Sequence, residues 1–177
     1  MTPAAVQFTV PRVETARLIL RAPEAADFEA HAAFIASDRS RFVGGPQPRE
    51  DAWRGFCGSI GHWAVRGYGM WVITGKDGTA PLGRVGFINN EGWDEPELAW
   101  HVYADAEGKG IAFEAALAAR SFGARHFGLD GVMSPIDPAN TRSLKLAERL
   151  GARFERDGEL MGKPCQIWRH PKQREAA

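Results

Sequence analysis

The most chemically informative stretch of the chain is a turn. Tyr103-Ala104-Asp105-Ala106-Glu107-Gly108-Lys109-Gly110-Ile111-Ala112 sets two glycines directly ahead of an alanine-rich run. Gly108 and Gly110 permit backbone angles and close approaches denied to larger residues. With a helix starting at Ile111, the N–H groups of Lys109 to Phe113 converge on one concavity. A helix start adds partial positive charge there. Such a place suits a diphosphate, and Lys109 adds a flexible cation. A tight strand-to-helix turn would use the same glycines, so both readings stand. The chain holds no Gly-x-x-x-x-Gly-Lys-Ser/Thr and no full Gly-x-Gly-x-x-Gly, which argues against a nucleotide triphosphatase and a dinucleotide-binding fold.

Proton-moving candidates lie just upstream. Strand alternation puts Glu97, Ala99 and His101 on one side, where Glu97 and His101 can share a cleft. His101 has an intrinsic pKa suited to acid–base work. The plainer alternative is a solvated glutamate at a strand start and a histidine packed against a helix. Arg142, Arg149, Arg153 and Arg156 cluster in sequence, either as a solvated helix surface or as a phosphate contact. Cys57 and Cys165 lack a nucleophile setting, and no histidine or cysteine spacing suggests a metal site.

These residues need elements to position them. Arg17 to Arg21 reads as a first strand. A helix is expected from Pro23, with Ala22 or Pro23 near its cap and Ala25, Phe28, Ala32 and Ile35 inward. A second helix is expected over 49–66, where Trp53, Phe56, Ile60 and Trp63 recur at helical spacing. Gly69 to Thr74 and Leu82 to Ile88 form a hairpin around Lys76-Asp77-Gly78. Glu97 to Tyr103 is the next strand. Ile111 to Phe122 reads as a helix covered on both sides, Phe127 to Met133 as a strand. A helix then opens at Asp137 or Pro138, with Asp137 the better cap, and ends near Gly151. Ala152 to Met161 and Pro164 to Arg169 are the last strands. The order βααβββαβαββ points to one mixed sheet with helices on both faces.

No linker divides the 177 residues, so a single domain over 1–177 is expected, with a core of about 12–170 and loose ends. Lys and Arg total 22 against 22 Asp and Glu, which gives no sign of a nucleic-acid face. No apolar run is long enough for a membrane span, and no signal-peptide pattern appears. Two cysteines give no disulfide framework, and a reducing cytoplasm fits best.

Two ordered stretches resemble the GNAT acetyltransferase superfamily, and within it the branch containing the RimJ/RimL ribosomal-protein acetyltransferases. The family's Gln/Arg-x-x-Gly-x-Gly/Ala signature corresponds to Glu107-Gly108-Lys109-Gly110-Ile111-Ala112, with Glu107 departing from the usual Gln or Arg. Glu114-Ala115 continues as that branch often does. Asp137-Pro138-Ala139-Asn140-Thr141-Arg142-Ser143-Leu144 through Leu150-Gly151-Ala152 resembles the family's Asn-x-x-Ser helix and its Leu-Gly ending. Arg17-Leu18-Ile19-Leu20-Arg21 also fits, and the similarity covers about residues 12–170.

The resemblance implies an α/β acyl-CoA N-acyltransferase fold with a splayed central mixed sheet. It implies direct transfer of an acetyl group from acetyl-CoA to a primary amine, on a small molecule or a protein N-terminus, without a metal. Gly108, Lys109, Gly110, Ile111, Ala112 and Phe113 would bind the pyrophosphate. The strand at Ala99 to Val102 would pair with the pantetheine arm and splay from 127–133. Asn140 would contact the coenzyme or cap its helix. Ser143 would protonate the leaving thiolate or bond to its own helix, with Tyr103 the alternative acid. Glu97 would be the general base, with Glu95 and His101 behind it. Trp63, Trp93 and Trp100 would line the acceptor cleft or fill the core. A homodimer is compatible with this reading. The competing reading is a non-catalytic acyl-CoA sensor or interaction module.

Overall fold

The computed structural model describes residues 7–173. The expectation of loose ends at 1–6 and 174–177 lies outside the described residues. Within them the ends are anchored: the Pro11 carbonyl accepts from the Trp71 indole at 2.7 Å, and the Gln173 amide donates to Asp130.

Among the described residues eight strands form one sheet: β1 (Val13–Glu14), β2 (Leu18–Arg21), β3 (Met70–Gly75), β4 (Pro81–Ile88), β5 (Glu97–Val102), β6 (Met133–Ile136), β7 (Arg153–Leu160) and β8 (Lys163–Arg169). Their spatial order is β1-β2-β3-β4-β5-β6-β8-β7. The first five strands pair antiparallel, as do the last three. The two halves meet through one parallel rung, Glu97 opposite Met133. Beyond that rung the strands part, so among the described residues the β6-facing edge of β5 has no strand partner from Leu98 to Val102.

The strand expected over 127–133 is thereby corrected to β6 at Met133–Ile136. Gly128 and Gly131 take φ of 69° and 70°, which turns the chain where a strand was expected. The apolar residues that suggested a strand do something else. Phe127 ends the preceding helix and packs with Trp63 and Trp71.

Among the described residues four helices cover the sheet: α1 (Phe28–Ile35), α2 (Arg49–Arg66), α3 (Ile111–His126) and α4 (Thr141–Arg149). The helix expected from Pro23 begins instead as one 3-10 turn at Ala25–Asp27, capped by Glu24, before α1. Helix α3 runs four residues past the expected end. It tolerates Gly123 in its interior because a side chain there would strike the Phe87 ring. It is buried on one face only, through Ile111, Ala115, Ala116 and Ala119 against Val85, Phe87 and Leu98. Leu117 on its outer side is 42% exposed, which corrects the expectation of cover on both sides. Helices α1 and α2 form a second core through Phe28, Ala32, Phe34, Ala52 and Phe56.

Candidate active site

The parting of β5 and β6 opens a cavity of about 660 Å³. One wall is β5 and β4, another is α1 and α2, and the far side is the start of α4 with the β7–β8 hairpin. Cofactor and ligand sites are commonly of this size.

Glu97 stands at the rung where the strands separate. It is 8% exposed and lines the cavity, and its Oε2 has no hydrogen-bond partner among the described residues. Burial raises its pKa to about 8. His101 lies on the same side and also lines the cavity, stacked on Phe34 with ring centroids 4.7 Å apart. Its Nε2 is likewise without a partner. Burial, then the nearby Arg84 and His31, hold its pKa well below the ordinary histidine value. Glu95, by contrast, is engaged by Arg169 through two bonds of 2.6 and 2.8 Å.

The start of α4 faces the cavity from the other side. Asn140, not Asp137, is its cap: Asn140 Oδ1 accepts from the Ser143 amide at 3.3 Å. Asp137 instead accepts from the Ala139 amide in the preceding turn. Both Asn140 and Ser143 line the cavity. The Trp100 indole donates to Ser143 Oγ at 3.3 Å, and that hydroxyl donates to no protein acceptor among the described residues. Its proton is free to reach a ligand. Tyr103 is not brought into this group. It packs against Phe34 and His101 on the α1 side, and burial raises its pKa to about 12. Trp93 and Trp100 line the cavity, whereas Trp63 is core.

The glycine turn adopts the conformation that its composition suggests. Gly108 and Gly110 take φ of 72° and 73°, and α3 begins at Ile111. No amide from Gly108 to Phe113 donates to a protein acceptor among the described residues. The flexible cation expected of Lys109 is held back, because its Nζ donates to the Asp105 carbonyl at 2.6 Å. Val102 ends β5 close by, opposite Gly83. Glu107 forms ion pairs with Arg39 and Arg142, so its carboxylate is neutralised and ties the turn to α4. Glu114 binds Thr15 at 2.6 Å and Arg17 at 2.7 Å, which anchors α3 to the β1–β2 turn. The clustered arginines do not converge: Arg142 pairs with Glu107, while Arg149 lies over the Phe113 ring.

Sequence reasoning missed Arg84. It lies on β4 directly across from His101, is 3% exposed and lines the cavity. Its Nη2 donates to Ser59 Oγ at 2.7 Å, its plane lies over Phe56, and its Nε has no partner. No carboxylate pairs with it among the described residues. Asp27, a nearby negative charge, is held by both nitrogens of Arg21 at 2.7 and 2.8 Å. Burial lowers the Arg84 pKa, but a guanidinium stays charged in proteins. His31, 6% exposed beside it with an unpartnered Nδ1, has its pKa lowered to about 4 by burial and then by Arg84. An uncompensated buried charge costs several kcal/mol, so its retention calls for a reason. The available signal was a charge inside the otherwise apolar run Val85, Phe87, Ile88.

Among the described residues no helix is long and apolar enough to cross a membrane, and no group of three His, Cys, Asp or Glu side chains could hold a metal.

Comparison with known proteins places this geometry. An acetyltransferase from Agrobacterium tumefaciens superposes with a TM-score of 0.86 at 31% identity, over 96% of this chain and 99% of that one. A protein described as a GNAT-family acetyltransferase from Bordetella pertussis matches at 0.77 and 27%, over 91% and 99%. RimL, a ribosomal L7/L12 alpha-N-protein acetyltransferase solved with coenzyme A, shares the fold at 0.72 and 15% identity, over 92% and 98%. The domain described as Acetyltransferase (GNAT) matches residues 17–153. The chain therefore belongs to the GNAT family of N-acetyltransferases.

Proposed function

We propose that the protein transfers acetyl from acetyl-CoA directly to a primary amine, on a small molecule or a protein N-terminus, with Glu97 as general base. The observation that carries this reading is the parting of β5 from β6 at Glu97, a residue that lines the cavity so formed and keeps an orphaned carboxyl oxygen. The unpaired amides of Gly108 to Phe113 fit the diphosphate of the coenzyme, and the unpartnered edge of β5 fits an extended arm lying along it.

In this mechanism an ammonium enters from the α1–α2 side. Glu97, once ionised, takes a proton from it, and the neutral nitrogen attacks the thioester carbon. A pKa near 8 narrows the gap to an amine and favours that transfer. The tetrahedral adduct expels the thiolate, and the C–S bond breaks as the amide forms. Ser143 Oγ–H, held by Trp100 and otherwise free, is assigned to the leaving sulfur, and the second proton, shed by the adduct nitrogen, restores the hydroxyl. Tyr103 is the less suitable acid, because it packs outside the cavity and its high pKa weakens it. Asn140 orients the start of α4 through its cap and offers its amide N–H to the coenzyme.

The test is an amine panel with acetyl-CoA, read by product mass and by released coenzyme. Coenzyme released in proportion to acetylated amine is expected. Tight coenzyme binding with no acetylated product from any amine would refute the catalytic reading and favour a sensor.

A further inference from the structure

Arg84, His31 and His101 form a polar group that the proposed chemistry does not use. Each lines the cavity, and each holds a nitrogen with no partner among the described residues. The side chains come from β4, α1 and β5 and lie together: the His31 and His101 ring centroids are 6.3 Å apart, and both rings feel the Arg84 charge. The group is positive and lacks a carboxylate of its own. Asp137, which lines the cavity at the far side, is spent on the Ala139 amide, and Asp27 is spent on Arg21. A buried guanidinium beside neutral imidazoles is a receptor for an anion, and the planar fork of arginine matches a carboxylate best.

We propose that the acceptor is an elongated amino carboxylate, with its amine at Glu97 and its carboxylate on Arg84, assisted by His31 and His101. The proposal rests on the acetyltransferase reading of the cavity and names its substrate class. The spacing follows from the ladder. Arg84 is opposite His101 and Ile88 is opposite Glu97, so the two anchors are four residues apart on one side of the sheet. Four residues of strand span about 13 Å. An ω-amino acid with several intervening methylenes spans a gap of that order, whereas an α-amino acid does so only if the two side chains lean toward each other.

The experiment measures binding of ω-amino acids of increasing length to the protein saturated with coenzyme A, by calorimetry. Each is compared with its neutral carboxamide and with the ω-aminoalkylphosphonate of equal length. At the optimal length the carboxylate is expected to bind about 30-fold or more tightly than its carboxamide. Arg84→Met should reduce that ratio to within about threefold, because only the neutral contacts remain. Its melting temperature should hold or rise, since an apolar chain replaces an uncompensated buried charge. Arg84→Lys keeps the charge without the fork and should show an intermediate ratio. A wild-type protein that binds acid and amide equally overturns the proposal. So does a preference that survives in both variants, or a phosphonate that binds more tightly than the carboxylate.

Acetylation of the same compounds separates the two claims. Neutral amides acetylated as fast as the acids leave an acetyltransferase and remove the carboxylate subsite. Arg84-dependent carboxylate binding with no acetylation of any amine keeps the subsite and removes the catalytic reading.

Discussion

Glu97 sits in a place that makes its proton expensive to remove, and two measurable effects follow. Glu97→Gln is expected to lower kcat by about 10²- to 10⁴-fold while leaving coenzyme affinity nearly intact, as steady-state kinetics and direct titration will show. With wild-type protein, kcat/KM should climb with pH and level off above about 8 as the carboxyl ionises; a profile flat from pH 6 to 9 would remove Glu97 from the chemistry. Glu97 was legible in the sequence because it begins the strand that leads into the glycine turn. Arg84 was not. Its neighbours read as a packing strand, and only the pairing of β4 with β5 sets it across from His101. Asn140 shows a third case. Its position was legible, but its capping bond depends on where α4 begins, and the turn at Asp137 delays that start by several residues.

At the scale of elements, two glycines, one capping α3 and one inside it, carry distinct loads. Gly110 caps the helix with φ of 73°, a conformation that costs a branched residue about 1–2 kcal/mol. Gly110→Val should therefore lower the melting temperature by a few degrees and weaken coenzyme A binding at least tenfold, measured by titration. Undiminished binding would place the diphosphate elsewhere. Gly123→Ala, far from the turn, pushes a methyl group into Phe87 and should destabilise by about 1–3 kcal/mol in denaturant melts, with coenzyme affinity changed little. Most elements could be read from periodicity, and α2 was expected at its observed bounds. The segment 127–133 was misread because it is apolar without being extended. Two glycines bend it, and alternation alone does not distinguish a strand from a core-filling turn.

For the molecule as a whole, buried protons set the pH range of stability. Burial lowers the pKa of His31 and His170 to about 4, and that of His101 also falls, so the unfolded chain binds more protons than the native one below 6.5. Their contribution is present above pH 6.5 and is lost as pH falls toward 4. Glu97 acts oppositely: raised from 4.5 to about 8, it binds its proton more tightly when folded, so stability drains as pH rises through that interval. Below 6.5 the three histidines outweigh the one carboxyl. The unfolding free energy should thus peak near pH 6.5 and decline by about 2 kcal/mol at most by pH 8, with the melting temperature following it. Glu97→Gln should abolish the alkaline decline and steepen the acid slope, because the carboxyl no longer offsets the histidines between pH 4.5 and 6.5.

The single rung between β5 and β6 has a mechanical corollary. Among the described residues a few side-chain ties reach across beside it: Ser134 Oγ donates to the Leu98 carbonyl at 2.6 Å, Arg169 of β8 holds Glu95 just ahead of β5, and Trp100 donates to Ser143 of α4. A pantetheine chain laid along β5 would serve as the missing strand, a keystone wedged between two leaves. Its arrival should slow amide hydrogen exchange on both leaves at once, in β4 and in β8, including amides too distant to touch it.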